Sequence, residues 1–382
     1  MTIETKVDEL LLHRQEELEN AKSAGKKVVG YFPGGYVPEE LIYAAGAIPI
    51  CLSHGGDART ADEALSIMPH VICPFARAQV GEMMLKTNPF YTAVDLVVVP
   101  STCQHMKKIG DFWEYYEGPK VFKLGVPYEH DKDFEVQYFR DRLVALKERL
   151  ETLTGNTVTD DRLAEAIVVY DRLRSLLKAL SLTRRGAGRA IGALDFVRLN
   201  HASLYADPVV MADTLEAVLE GLPEAAPGRP RVLLTGPNLV LGDYDVLALA
   251  DEVGAEVVIE EIFEGVRDYW QTIDQTGDPL DALVRGYLIE KRPAAFMRGS
   301  TSKRLEFIRS LIEGFEVQGV LWYQLLCCEF YDEEGSYIET ALRDDGIPVL
   351  VVESDYHSLD SGQMKTRLAA FVETMAGGPV DA

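Results

Sequence analysis

Apolar and polar positions along the chain switch repeatedly between a helical and a strand period. About residues 4 to 24 carry apolar side chains at helical spacing, and KKVVGYF then supplies a short apolar run that predicts a strand. PEELIYAAG predicts a helix opened by Pro38 and stopped by Gly46, while AIPICL, DLVVV at 95 to 99 and KVFKLGVP predict further strands. Strands that alternate with helical stretches imply right-handed βαβ units and a parallel sheet. From about 131 to 222 the strand signal almost vanishes: FEVQYFRDRLVALKERLETLTG is strongly helical, and Thr159-Asp160-Asp161 caps the next helix. LPEAAPGRP at 222 to 230, with three prolines and a glycine, reads as a linker. The βα rhythm then returns in RVLLTG, DVLALADEVG, AEVVIEE, SKRLEFIRSLIEG, VQGVLWYQLL, GIPVLVVE and QMKTRLAAFVETM. The pattern therefore predicts an N-terminal α/β domain over 1–130, a helical region over 131–222 and a C-terminal α/β domain over 223–382.

Composition narrows the function. The 382 residues are 47% hydrophobic and 26% charged, an ordinary globular mix. Lys and Arg total 38 against 61 Asp and Glu, a formal charge of −23, which argues against nonspecific nucleic-acid binding. The first residues, MTIETKVDELLLHRQEELEN, lack the pattern of a secretion signal, and no apolar run approaches a membrane span. Five cysteines, an odd number, point to a reducing cytoplasm where thiols stay free to act as ligands.

Three cysteine locations share one setting. Cys103 in DLVVVPSTCQHMKK and the pair Cys327-Cys328 in VLWYQLLCCEFYDEE follow runs that read as buried parallel strands, so they emerge at strand carboxyl ends, where open α/β sheets build sites. Cys73, in VICPFARAQ, precedes a helical stretch. Thiols converging from distant segments suit an iron–sulfur core; packing as small hydrophobes is the simpler use of the same residues. Cys51 lies inside the apolar run AIPICL and reads as a core thiol. There is no GxxxxGK[ST] phosphate loop and no metal spacing among His105, His130 and His357.

Taken together, GYFPGGYVPEELIYAAGAIPI, CPFARAQ, PSTCQHMKK and GIPVLVVESDYHSLDSGQMKTRLAAFVE resemble the 2-hydroxyacyl-CoA dehydratase and benzoyl-CoA reductase family, in the family's order, from about residue 28 to 375. The resemblance implies two flavodoxin/Rossmann-like parallel-sheet domains with a helical layer between them and an N-terminal helix. It also implies a four-iron four-sulfur cluster held by three cysteines, here Cys73, Cys103 and Cys328. The family often has Phe-Cys-Asp-Pro at the third position; this chain doubles the cysteine and lacks the proline, so Cys327 stays open as the alternative.

What the resemblance implies chemically is one-electron, ketyl-radical chemistry on a CoA thioester. It further implies a homologous second subunit as heterodimer partner and a separate ATP-dependent iron–sulfur activator. Glu40 matches the family's recurrent acidic position and is the candidate proton acceptor, with Glu39 on another face of the helix as the weaker one; an acid in a first turn also answers the helix dipole. Ser101 and Thr102 are candidates to hydrogen-bond cluster sulfur or substrate, or simply to cap a helix. Arg77, four residues after Cys73, is placed to raise the cluster's potential. CoA phosphates call for cations, and Arg172, Arg174, Lys178, Arg184, Arg185 and Arg189, with Gly186 and Gly188, form the densest basic stretch, which also reads as a solvated helix face. Glu353, Asp355, Tyr356, Gln363, Thr366 and Arg367 match the family pattern near the C-terminus. A noncatalytic relay or scaffold subunit of the same kind of complex is the alternative role. Double-cubane relatives need six thiolates, which five cysteines cannot supply.

Overall fold

The computed structural model describes residues 2–116, 118–186, 190–224, 228–357 and 362–376. Two four-stranded sheets, all parallel, form the frame. The first contains β1 (Val28–Tyr31), β2 (Ile48–Cys51), β3 (Leu96–Pro100) and β4 (Lys120–Leu124) in the order β2-β1-β3-β4. The second contains β5 (Arg231–Thr235), β6 (Glu256–Glu261), β7 (Gly319–Leu325) and β8 (Val349–Ser354) in the order β6-β5-β7-β8. The two orders are the same, so each sheet reverses its winding between its first and third strands. Register is set there by Gly30 opposite Val97 and by Leu233 opposite Val320.

The strands read as unbroken apolar runs because helices cover both faces of a parallel sheet. Val97, Val98, Leu233 and Leu321 are fully buried. The edge strand β4 differs: Lys120 and Lys123 are exposed, charges that discourage pairing with another chain.

Between the sheets in sequence lie four long helices, Asp133–Thr154, Asp160–Leu182, Ala193–Ser203 and Pro208–Glu220. Thr159 caps the second, its side chain accepting the Arg162 N–H at 3.3 Å. That helix packs on Glu39–Ala44 from the first half and on Val266–Tyr269 from the second, and so ties the halves together. A second tie is a parallel bridge between His54 and Leu241, with Gly55 N–H donating to Leu241 and Leu241 N–H to Ser53. Gly56 follows with φ +75°, and a Cβ there would run into the backbone of Asp243, so only glycine passes.

The periodicity missed the Glu329–Asp344 helix, the short Ala58–Glu63 helix and a π turn at Arg285–Ile289. Arg189, Gly188 and residues 225–227 of the expected linker lie outside the described residues. No described helix is long and apolar enough to cross a membrane.

Candidate functional site

Both winding reversals open toward one cavity. After β1 come Pro33 and Gly34, after β3 Thr102 and Cys103, after β5 Pro237 and Asn238, and after β7 Leu325 leads to Cys328; all eight line it. Such crevices outside the carboxyl ends of parallel strands are where this architecture builds sites. The cavity holds about 750 Å³ of unfilled space, part of it open to solvent. Phe75, Met106, Phe263, Phe296 and Phe330 make its wall mainly apolar. Gly236, at φ +149°, lets the β5 loop turn in: a Cβ there would run into the Tyr323 carbonyl.

Cys73, Cys103 and Cys328 all line this cavity, and each is the N-cap of a helix: Pro74–Leu85, Gln104–Tyr115 and Glu329–Asp344 respectively. Three helix N-termini, each with a partial positive charge and unpaired N–H groups, thus meet at one place. The Cys103 sulfur accepts the Met106 N–H at 3.3 Å. The Cys73 N–H donates to His105 Nδ1, also at 3.3 Å. Cys328 is fixed through its carbonyl, which accepts from Tyr331, Asp332 and the Gln324 side chain. Its neighbour Cys327 has left-handed backbone (φ +61°), is exposed and does not line the cavity.

Burial pushes the Cys73 thiol up to about 12, with Cys103 adding to the effect. Burial also raises Cys103, against the pull of the Met106 and His105 amides. Cys328 is raised by burial, then by Cys73 and Cys103, so the three sulfurs lie within electrostatic reach of one another. Without a metal they are neutral thiols. No three described His, Cys, Asp or Glu side chains are grouped to hold a single ion. A cluster makes a different demand, because its protein sulfurs bind separate irons and need not surround a single ion. Three thiols with apolar walls and helix N-termini, which favour an anionic body, match that demand.

The other expected site residues divide. Thr102 lines the cavity; Ser101 does not, and its N–H donates to Leu124. Arg77 is buried beside Cys73, where its charge opposes the thiol's upward shift. It donates to the Ile72 carbonyl and lies 3.6 Å from Asp62. Glu40 does not line the cavity. It is fully buried, ion-paired to Arg174 at 2.5 Å and accepting the Tyr287 hydroxyl at 2.7 Å. Glu39 faces a neighbouring small chamber and accepts from the Tyr31 hydroxyl.

The described members of the basic stretch all have partners. Arg172 pairs with Asp213 and Glu216, and Arg184 with Glu260. Lys178 donates to the Trp270 carbonyl, and Arg185 stacks over Trp270 and Phe315. In the C-terminal segment Glu353, Asp355, Tyr356, Gln363, Thr366 and Arg367 do not line the cavity.

Sequence reasoning missed His105, Asn238, Phe263 and Tyr331. The signal for Asn238 was available: GPN follows β5 as FPGG follows β1. Tyr331 is held by a buried charge network that periodicity cannot reveal. Its hydroxyl accepts from Arg267 Nη1 at 2.6 Å. Arg267 and Arg304 grip Glu261 at 2.6 and 2.9 Å, and Arg304 also pairs with Glu334. Burial alone would raise Glu261, but Arg267 and Arg304 outweigh it and bring its pKa to about 2.

The chain matches a family model described as 2-hydroxyglutaryl-CoA dehydratase, D-component, over residues 35–375. It is 27% identical over 364 residues to the Escherichia coli (strain K12) protein YjiM, provisionally named a dehydratase subunit, with 93% of each chain covered. It is 22% identical to the (R)-phenyllactyl-CoA dehydratase beta subunit of Clostridium sporogenes, covering 94% of each chain. With a benzoyl-CoA reductase subunit of Thauera aromatica it shares 24% identity over 89% of this chain and 88% of that one. Since the matched model covers most of the chain, this protein belongs to the 2-hydroxyacyl-CoA dehydratase and benzoyl-CoA reductase family.

Proposed function

We propose that this chain is the iron–sulfur subunit of a 2-hydroxyacyl-CoA dehydratase or benzoyl-CoA reductase type complex, with Cys73, Cys103 and Cys328 as cluster ligands. The observation that carries this reading is the convergence of three N-cap cysteines, from both halves of the molecule, on one apolar cavity. When bound, a low-potential four-iron four-sulfur cluster would supply one-electron (ketyl radical) chemistry on a CoA thioester, with one iron corner open as a Lewis acid. The chain's own residues do the rest. The helix N-termini offset the negative charge of the thiolates, and Thr102 offers a hydroxyl at the cavity wall. Arg77 adds positive charge beside Cys73, which raises the potential. Glu40 acts through Glu39: its charge adds to burial and Asp268 in holding Glu39's proton on.

The proposed division is an N-terminal α/β domain over 1–130, a helical region over 131–222 and a C-terminal α/β domain over 223–382. A homologous second subunit, an ATP-dependent activator and a cytoplasmic setting complete the reading. A second role, electron relay toward a substrate-binding partner subunit, is favoured by one observation. Arg174, Lys178 and Arg184 are engaged within the fold, which leaves only the exposed Arg172 and Arg185, among the described members of the basic stretch, facing solvent where CoA phosphates could reach them.

The test is anaerobic purification with iron and sulfide counting, then replacement of each cysteine by serine. Loss of Cys73, Cys103 or Cys328 should bleach the protein, whereas loss of Cys327 should not. A colourless, iron-free anaerobic preparation would sink both roles.

A further inference from the structure

Beside the cysteine cavity lies a smaller chamber that shares Pro33, Gly34 and Phe263 with it. Glu39, Glu264, Asp268 and Tyr287 line this chamber. A third opening shares Asp268 and Tyr287 with the chamber and continues past Lys291 to Gln271, which is exposed. The three spaces therefore adjoin one another in order, from the exposed opening through the chamber to the cysteine cavity, each sharing wall residues with the next. The connecting stretch is lined by titratable groups, unlike the apolar cavity it reaches.

Glu264 lines the chamber next to Phe263, a wall residue that the chamber shares with the cysteine cavity, and is the anomaly. It is 2% exposed, and neither carboxylate oxygen has a side-chain hydrogen-bond partner among the described residues; only the backbone amides of Leu239 and of Glu264 itself lie near enough to act on it. An unpaired carboxylate in such a place costs too much to stay ionised, so it keeps a proton. The groups around it do not relieve this. Arg267 is committed to Glu261, and Asp268 to Lys291 at 3.4 Å. Tyr31 gives its hydroxyl proton to Glu39, while Tyr287 and Arg174 attend Glu40. Cys51 and His201 are buried and held neutral by burial. The Asn200 amide donates to the Glu264 carbonyl, not to its side chain. Burial pushes the Glu264 pKa up to about 8, with Arg267 and nearby amides pulling the other way.

We propose that this series of chambers is a proton route and that Glu264 is the acid at its inner end, holding one proton for chemistry in the cysteine cavity. The use of that proton rests on the function proposed above; the existence of the route does not. Departure of a hydroxyl as water consumes one proton. Glu264 would give it and become a carboxylate, and one proton entering past Asp268 and Tyr287 would restore it, with no electron transferred along the route.

The test is infrared spectroscopy of the full-length protein on transfer to D2O, following the carbonyl stretch of protonated carboxylic acids. The wild type should show a band that shifts on deuteration and loses one component as pH rises through about 8; Glu264→Gln should lack that component alone, while the component of the protonated Glu39 persists in both. Asp268→Asn and Tyr287→Phe should keep the band but slow its deuteration at least about tenfold. Should Glu264→Gln fail to fold, Glu264→Asp should keep an acid band with a shifted midpoint. An unchanged band in both Glu264 variants, or wild-type deuteration in both route variants, overturns the proposal. In iron-loaded protein, the midpoint potential should depend on pH above about 8 in the wild type but not in Glu264→Gln; equal slopes overturn the link to the cavity. A protein that binds no iron fails the functional reading alone, since the infrared measurement still decides the route.

Discussion

The two halves of the molecule repeat one strand order and feed one cavity, yet they hold their cysteines by different physics. In the first half, Cys73 and Cys103 have ordinary backbone (φ −58° and −142°); Cys73 belongs to the apolar core and Cys103 packs against it. In the second, Cys328 follows a left-handed residue, and the first turn of its helix is anchored through Tyr331 to the Glu261–Arg267–Arg304–Glu334 network. Similar loops can thus be aimed by packing or by buried charge. Packing is nearly indifferent to pH, whereas a charge network is not, so the second half is where the site should fail first.

The most direct way to break this contrast is Glu261→Gln. The side chain keeps its shape, but buried Arg267 loses the anion it is paired with and Arg304 one of its two, and stability should fall by about 3–5 kcal/mol in urea unfolding. A loss below about 1 kcal/mol would mean that the network contributes little beyond packing.

Acid should act on the same residue more gently. Glu261's folded pKa of about 2 lies below its ordinary 4.5, so its contribution is complete above about pH 4.5 and is lost as pH falls toward 2. At about 1.36 kcal/mol per pKa unit this amounts to up to about 3 kcal/mol. Urea midpoints measured from pH 6 down to pH 3 should fall for the wild type, and the fall should be shallower in Glu261→Gln. Parallel curves would place the acid sensitivity elsewhere.

The contrast also marks what the sequence discloses. Apolar runs such as LVVVP and GVLWYQL announce parallel strands because burial on both faces demands them, and cysteines just past such runs fall at strand carboxyl ends. Glu40 was legible as an acid at a helix start, but its partner Arg174 lies 134 residues away, beyond the reach of any local pattern. Glu264 gave no signal at all. What distinguishes it is the absence of a described side-chain hydrogen-bond partner in a buried chamber, which exists only once both halves are folded together. The Glu329–Asp344 helix was hidden because acids crowd its first turns in EFYDEE, which reads as solvated loop, although acids there suit a helix N-terminus.

The smallest expected effect is the most specific to the second half. Cys327 occupies φ +61°, a region that strains any side chain and suits glycine. It is exposed and off the cavity, so Cys327→Gly removes the strain without touching the cavity wall. Glycine also gives the unfolded chain more freedom, which returns part of the gain, so the net stabilisation should be roughly 0.5 kcal/mol in urea unfolding. Iron content should be unchanged. Destabilisation with lost iron would make Cys327 the third ligand in place of Cys328, and the left-handed turn would then be the means of aiming it.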